Sequence, residues 1–227
     1  MTGTPTRIAI LVSGRGSNML RLVDHITTRG LACDIVLIAS NTACTGLDLA
    51  AARGLPTVCL DRGGYADRAA QEDALATELA AAGAEWVFLA GYMAVLSATF
   101  VTGFEGRILN IHPSLLPLHK GLDTHQRALA AGDHRHGASV HVVTPALDDG
   151  PIILQADLDV AADDTAHSLA GRVLALEHAL YPFVAEALLT GGLVIQNGTV
   201  QWHDAAAALA ASTPDIQTIL TDHLIWP

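Results

Sequence analysis

Aromatic residues and positive charges are both scarce in this sequence. Only 4% of its 227 residues are aromatic, and 12 lysines and arginines stand against 23 aspartates and glutamates, a formal net charge of −11 at pH 7. A chain this acidic is a poor candidate for following a nucleic-acid backbone or an anionic membrane surface, although backbone amides can still bind a single phosphate. We therefore expect no nucleic-acid partner and no membrane partner.

Long apolar runs and paired cysteines are also missing. No uninterrupted apolar run approaches the ~20 residues of a membrane span, and residues 1–7 lack the apolar core of a signal peptide. The three cysteines are odd in number and have no close pair spacing, which is typical of reduced thiols in a cytosolic protein. They are Cys33, Cys44 and Cys59. We therefore expect a cytoplasmic protein.

What the sequence does contain is a hydrophobic fraction of 51%, much of it alanine, which suits an α/β protein of one large or two small domains. Buried-strand runs alternate with helical patterns, which predicts a parallel sheet with right-handed crossovers. The predicted strands are 8–12, 34–39, 57–60, 86–90 and 107–109, and the helices between them are 19–26, 46–53 and 67–82. Later, strands 137–143 and 152–160 predict an antiparallel pair and hence a mixed sheet.

The remaining patterns predict a helix at 124–131, a long helix beginning at Asp164-Thr165, and a hairpin at 193–202. Asn197-Gly198 favours a type I′ turn in that hairpin. We assign no chemistry to the tail, residues 203–227.

The most informative stretch, residues 110–117, reads Asn-Ile-His-Pro-Ser-Leu-Leu-Pro. Its two prolines prevent the preceding apolar run from continuing as a central strand. Asn110 and His112 are two residues apart, so on a strand they face the same side, at the end where α/β sheets bind ligands. An amide donor and a proton-carrying imidazole predict a reactive site; a turn-capping asparagine and a core histidine are the alternative.

Two loops allow a similar choice. Residues 13–18, Ser-Gly-Arg-Gly-Ser-Asn, separate the first strand from a helix, a layout that directs backbone N–H groups at an anion. The loop has neither a dinucleotide nor a triphosphate motif, and an ordinary turn without a ligand fits equally well. Asp148 lies in a turn-rich loop at 144–151, where it is either a turn cap or a catalytic carboxylate.

The stretch at 110–117 resembles the signature of the folate-dependent formyltransferases. From about Arg7 to about Gly192 the chain resembles the phosphoribosylglycinamide formyltransferase family among them. The resemblance implies a Rossmann-like formyltransferase fold and a single domain over 1–227, with a nucleotide-binding half at about 7–105, a catalytic and folate half at about 106–192, and a tail at 193–227. It also implies transfer of the formyl group of the co-substrate 10-formyltetrahydrofolate to the amine of phosphoribosylglycinamide in purine biosynthesis. We expect no metal, and a monomer or homodimer.

The resemblance also implies a role for each matching residue. The catalytic residues would be Asn110, His112 and Asp148. The ribonucleotide would be bound by Gly14, Arg15, Gly16, Ser17, Asn18 and Glu177. The folate would be bound by Arg68, Met93, Ala94, Val95, Leu96, Thr144, Pro145, Ala146 and Leu147. Arg68 and Glu177 also fit ordinary surface charges, and residues 91–97 fit an ordinary loop between a strand and a helix.

The chain departs from the family pattern at several positions. Many members have arginine in place of Ala94, an aromatic residue and proline in place of His119 and Lys120, and often glutamine in place of Leu174. Some have histidine in place of Asp123. Backbone contacts at position 94 would survive the change, but a side-chain contact would not. The local loop around residue 120 is where a different shape is expected.

Four other functions fit parts of the sequence. A zinc or iron hydrolase could use the histidines at 112, 119, 125, 134, 136 and 141 with Asp123 and Asp148, but no His-Glu-x-x-His or paired-cysteine spacing appears. A formyltetrahydrofolate deformylase would use water as acceptor, and a methionyl-tRNA formyltransferase would need a basic surface. A non-catalytic nucleotide- or folate-binding protein would have the same fold and glycine loop, and the joint presence of Asn110, His112 and Asp148 argues against it.

Overall fold

The computed structural model describes residues 4–196 and 198–226. The chain divides into two compact units, Met1–Asn110 and Ile111–Pro227. Helices flank a mostly parallel sheet whose C-terminal part is antiparallel, so the predicted fold class is confirmed. The predicted single domain stays a prediction, as do the functions of its two halves.

The first unit alternates strands and helices along the chain. Its elements are β1 (Thr6–Val12), α1 (Ser17–Arg29), β2 (Cys33–Ser40), α2 (Thr45–Ala52), β3 (Thr57–Cys59), a 3-10 turn (Arg62–Gly64), α3 (Arg68–Ala81), β4 (Trp86–Leu89), α4 (Ala98–Gly103) and β5 (Ile108–His112), whose last two residues belong to the second unit. The strand order is β5-β4-β1-β2-β3, and every neighbouring pair is parallel. The loops after β1, β2 and β4 therefore leave one edge of the sheet.

Strand β1 forms the centre of this unit. Its residues 8–12 are fully buried, as expected for a parallel strand covered on both faces. Helix α1 packs a stripe of Met19, Leu22, Val23 and Ile26 into the core. It begins at Ser17, two residues before the predicted start, because Gly16 adopts a left-handed conformation with φ of 74° just before it.

The second unit contains the antiparallel part of the fold. Its elements are α5 (Thr124–Ala131), β6 (Arg135–Val142), β7 (Ile152–Asp159), α6 (Ala166–Leu189), β8 (Leu193–Gln196), β9 (Thr199–Trp202), α7 (Ala205–Ala211), α8 (Pro214–Leu220) and β10 (Leu224–Ile225). Strands β6 and β7 pair antiparallel, as predicted. The hairpin β8–β9 is also confirmed, but its predicted turn includes Asn197, which lies outside the described residues.

The tail has a structural role that its composition did not predict. Strand β10 pairs antiparallel with β7, and the Asp157 N–H donates to the His223 carbonyl at 2.9 Å. The Trp202 ring stacks on Phe183 and meets Trp226 edge-on, with ring centroids 5.7 and 5.5 Å apart. The tail thus covers backbone groups of β7 that would otherwise form an open edge. Within the described part of the chain, no helix has both the length and the apolar character needed to cross a membrane.

Candidate active site

His112 is the last residue of β5, and only 7% of its side chain is exposed. Its Nε2 lies 3.1 Å from the carbonyl oxygen of His119, and its Nδ1 lies 3.5 Å from Oδ2 of Asp148. A carbonyl can only accept, so Nε2 must carry a proton. A carboxylate likewise favours a proton on the nitrogen it faces. Both ring nitrogens therefore face hydrogen-bond acceptors.

Asp148 is held in place by its own loop and by a neighbouring one. Its backbone is left-handed, with φ of 46°, an uncommon conformation for a residue other than glycine. Its Oδ2 accepts the backbone N–H of Gly121 at 2.9 Å. Its Oδ1 lies 3.7 Å from Nε2 of His141. Of the two roles considered for Asp148, a simple turn cap does not account for a carboxylate directed at a buried imidazole.

His141 differs from His112 in its electrostatics. Its Nδ1 lies 3.0 Å from the carbonyl of Val142, so that nitrogen carries the proton. Burial lowers the pKa of His141 more than the Val142 carbonyl and Asp148 raise it. His141 is therefore neutral near pH 7, and Asp148 lies between this imidazole and that of His112.

The loop after β5 is fixed by buried hydrogen bonds. The Ser139 hydroxyl donates to the Ser114 carbonyl at 2.6 Å and accepts the Leu116 N–H at 3.0 Å. The Gln155 amide donates to both Ser139 Oγ and the Leu116 carbonyl, at 2.7 and 2.9 Å. The Ser114 hydroxyl in turn donates to the Leu118 carbonyl at 2.7 Å. Strands β6 and β7 thereby set the path of the chain from His112 to the carbonyl that His112 contacts.

In the first unit, the glycine loop between β1 and α1 packs against the start of α2. The Gly46 N–H donates to the Gly14 carbonyl at 2.8 Å. A Cβ on Gly16 would lie 2.6 Å from the Cα of Gly46, and a Cβ on Gly46 would lie 2.9 Å from the Gly14 oxygen. Gly14 and Arg15 are exposed, whereas Gly16 and Asn18 are buried. The loop is therefore closely packed on one side and open to a ligand on the other.

The other loops with predicted roles are largely exposed. Met93, Val95 and Leu147 have 71%, 57% and 52% of their surface exposed. Arg68 begins α3, and its Nε donates to Glu72 Oε1 at 2.7 Å. Ala94 and Thr144 are half-buried, Pro145 and Ala146 are exposed, and Leu96 is buried. Glu177 is buried on α6, so a plain surface acid does not describe it.

The histidine-rich region forms pairs. His119 Nε2 lies 2.5 Å from Asp133 Oδ2, and His125 Nδ1 lies 3.1 Å from His136 Nε2. Burial and the neighbouring His125 and His119 lower the pKa of His136 to about 4. His134 is exposed. Over residues 4–196 and 198–226, no group of three or more His, Cys, Asp or Glu side chains is arranged to hold a metal ion. Independence from a metal stays a prediction.

A separate surface depression of about 590 Å³ lies where β1 and β2 begin. Arg7, Cys33, Asp34 and Pro56 are among the residues that line it, and none of the predicted site residues does so. All three cysteines are free thiols. Burial, followed by Asp34 and Glu85, raises the pKa of Cys33 to about 12, so this thiol is not ionised at neutral pH. It is therefore an unreactive group, and the depression is not linked to the candidate site.

Residues 6–185 match the formyl transferase family. The chain belongs to this family. Phosphoribosylglycinamide formyltransferase from Escherichia coli strain K12 is 40% identical over 198 residues, covering 87% of this chain and 93% of that protein. Among solved structures, glycinamide ribonucleotide transformylase 1 from Symbiobacterium toebii superposes with a TM-score of 0.84 at 39% identity, covering 89% of this chain and 96% of that one. Phosphoribosylglycinamide formyltransferase from Coxiella burnetii, solved in complex with CHES, superposes with a TM-score of 0.82 at 41% identity. This match covers 87% of this chain and 93% of that one.

Several residues that contact the predicted site residues or their loops were not predicted from the sequence. Gly121 holds Asp148 through a backbone N–H, and His141 was considered only as a metal ligand. Gly46 lies 30 residues after Gly16 of the glycine loop, and no local pattern links the two. Ser13 and Glu72, which contact the loop at 91–97, had no assigned role. The only available signal was position, since Ser13 directly follows β1 at the edge where ligands bind.

Proposed function

We propose that this formyl transferase moves the formyl group of 10-formyltetrahydrofolate to the amine of phosphoribosylglycinamide. The products are formylglycinamide ribonucleotide and tetrahydrofolate, in purine biosynthesis. The observation that carries the proposal is His112, held between the Asp148 carboxylate and the His119 carbonyl and two residues from Asn110 on the same strand. Family membership and the similarity to phosphoribosylglycinamide formyltransferases support the choice of substrates.

The chemistry requires hydrogen-bond donors rather than a covalent nucleophile. Attack of the amine on the formyl carbon creates a tetrahedral intermediate with a negatively charged oxygen, which Asn110 and protonated His112 stabilise by donating hydrogen bonds. Asp148 stabilises the charge on His112 and helps to carry the amine proton to the departing folate nitrogen. His112 Nε2 donates to the His119 carbonyl. Nε2 is the donor to the substrate, and the developing oxyanion replaces the His119 carbonyl as its acceptor.

The two substrates are assigned to different loops. The exposed side of the loop at 14–18 and the N-terminus of α1 bind the ribonucleotide phosphate, since N–H groups and the helix dipole both favour an anion there. Glu177 accepts a hydrogen bond from the ribose. Arg68 and the loops at 93–96 and 144–147 bind the folate, with Met93, Val95 and Leu147 supplying apolar surface. We further propose one cytoplasmic domain that works as a monomer or homodimer without a metal.

The test is a turnover assay with 10-formyl-5,8-dideazafolate, a folate surrogate, run with and without phosphoribosylglycinamide in a chelator. Release of the deformylated product only when the ribonucleotide is present, at an undiminished rate, supports the proposal. Equal release without the ribonucleotide would indicate a deformylase. Activity that is lost in chelator and restored by a metal would refute the metal-free mechanism.

A His112→Ala variant tests the catalytic assignment. Loss of one donor to the oxyanion should lower kcat by roughly 10²–10³-fold. Binding of both substrates should persist, because the glycine loop and the folate loops are unchanged. His134→Ala is the matched control, since His134 is an exposed histidine of the same region. Unaltered turnover in the His112 variant would remove this residue from the mechanism.

A further inference from the structure

The loop at 91–97, between β4 and α4, presents apolar side chains to solvent yet is anchored near both of its ends. Near its start, Ser13 Oγ accepts the Met93 N–H at 2.9 Å and the Ser13 N–H donates to the Gly91 carbonyl at 3.1 Å. At its end, Glu72 Oε1 accepts the Ser97 N–H at 3.0 Å. Two side chains from other elements thus fix backbone groups of this loop.

The Ser13 hydroxyl acts as both a hydrogen-bond donor and a hydrogen-bond acceptor. It accepts from Met93 and donates to Asn41 Oδ1 at 2.5 Å. Ser13 follows β1, Asn41 follows β2 and Met93 follows β4, which are neighbouring parallel strands. A single hydroxyl therefore connects the loops that leave three adjacent strands, including the glycine loop that begins at Ser13.

Glu72 makes a second connection from helix α3. Its side chain is 11% exposed, and the oxygen that accepts the Ser97 N–H also accepts Arg68 Nε at 2.7 Å. The Arg68 side chain itself is 44% exposed. Oε1 of Glu72 therefore fixes the position of the Ser97 N–H at the end of the loop and also orients the Arg68 guanidinium. A buried carboxylate with two charge-assisted or backbone donors is a stable anchor.

We propose that Ser13 and Glu72 are positioning residues for the folate. They hold the loop at 91–97, and Glu72 also holds Arg68, in the binding conformation before the folate arrives. A loop ordered in advance loses less entropy on binding, so affinity rises without any new contact to the ligand. This inference rests on the proposed function, because it assumes that the loop and Arg68 bind the folate.

The holding role is tested first, on the ligand-free protein. Amide hydrogen exchange at Met93 should speed up by about tenfold or more in Ser13→Ala, and at Ser97 in Glu72→Ala, because each amide loses its acceptor. Glu72→Gln keeps an oxygen acceptor and should stay near the wild-type rate. Glu78→Ala removes an exposed acid from the same helix and serves as the control. Unchanged exchange at both amides would overturn the inference.

Steady-state kinetics then test the folate role. The KM for the formyl folate should rise by about tenfold in Glu72→Ala and in Ser13→Ala, while kcat changes by less than about threefold. Glu72→Gln should recover most of the loss. An unchanged KM in folded Ser13→Ala and Glu72→Ala, or a loss confined to kcat, would overturn positioning. If the wild-type protein uses no formyl folate, the proposed function and the folate role both fail. The hydrogen-exchange experiment still shows whether Ser13 and Glu72 hold the loop.

Discussion

Replacing Gly46 by alanine would test how the glycine loop is shaped for the ribonucleotide. The added Cβ would lie 2.9 Å from the Gly14 oxygen, 3.0 Å from the Gly16 Cα and 3.1 Å from the Gly16 nitrogen, whereas ordinary contact begins at 3.4 Å. All three neighbours are backbone atoms, so the loop itself must move, by about 0.5 Å at the Gly14 oxygen. Overpacking of this kind costs about 1–3 kcal/mol.

We expect this free-energy cost to appear as weaker binding, because the displaced loop is the one that binds the ribonucleotide. The affinity for phosphoribosylglycinamide should then fall by roughly 5–150-fold, since about 1.4 kcal/mol corresponds to a factor of ten. Isothermal titration calorimetry with the ribonucleotide measures this directly, and the KM for the folate should stay within about twofold. Gly171→Ala is the control, because the Cβ built there meets no atom within 4 Å beyond its chain neighbours and the backbone of its own helix. A folded Gly46→Ala protein with wild-type affinity would refute the role given to this contact.

Three further predictions concern the second unit. Ser139→Ala removes a fully buried hydroxyl that has three hydrogen-bond partners. The free energy of unfolding, measured in urea, should fall by about 1–3 kcal/mol. An unchanged free energy would mean that these hydrogen bonds do not stabilise the protein. Asp148→Asn keeps an acceptor for the Gly121 N–H but removes the charge that faces His112. The kcat should therefore fall by about 10²-fold or more, with little change in KM. A loss of substrate affinity as large as the loss of kcat would contradict this prediction. The lowered pKa of His136, about 4 against 6.5 when unfolded, means that the unfolded chain takes up the proton first as the pH falls. The free energy of unfolding should therefore decrease as the pH falls from 6.5 towards 4, and it should decrease less steeply in His136→Gln. Urea titrations at several pH values measure this dependence. The same pH dependence in both proteins would refute the lowered pKa of His136.

Local chemistry explains which features could be predicted from the sequence. Pro113 ends β5 because proline lacks the N–H that a central strand needs, and this places Asn110 and His112 at the strand end. Gly16 permits the left-handed turn that starts α1. Each of these features depends on a few consecutive residues. Strand ends, glycine turns and the amphipathic stripes of helices are therefore accessible to sequence analysis.

The partners within the site depend on contacts between distant segments. Gly121 and Asp148 are 27 residues apart, and Gly46 is 32 residues from Gly14. These distances in the chain are closed by strand pairing and by the packing of α2, and no short motif contains that information. Sequence reasoning therefore identified His112 and Asp148 as a pair only through family resemblance, and their shared anchoring by the loop at 119–121 emerged from the structure.

Polar contacts hold the loop at 119–121 in place. At His119 and Lys120, where the sequence predicts a loop of different shape, polar side chains supply the restraint. The His119 ring contacts Asp133 while its carbonyl contacts His112. Lys120 forms an ion pair with Asp149, the residue next to Asp148. Because this ion pair is partly exposed, it contributes little to stability. The Arg127 guanidinium also donates to the Lys120 carbonyl, and Asp148 accepts the Gly121 N–H. The His119 ring is thus one of several restraints on the loop, and it helps to place the backbone carbonyl that contacts His112.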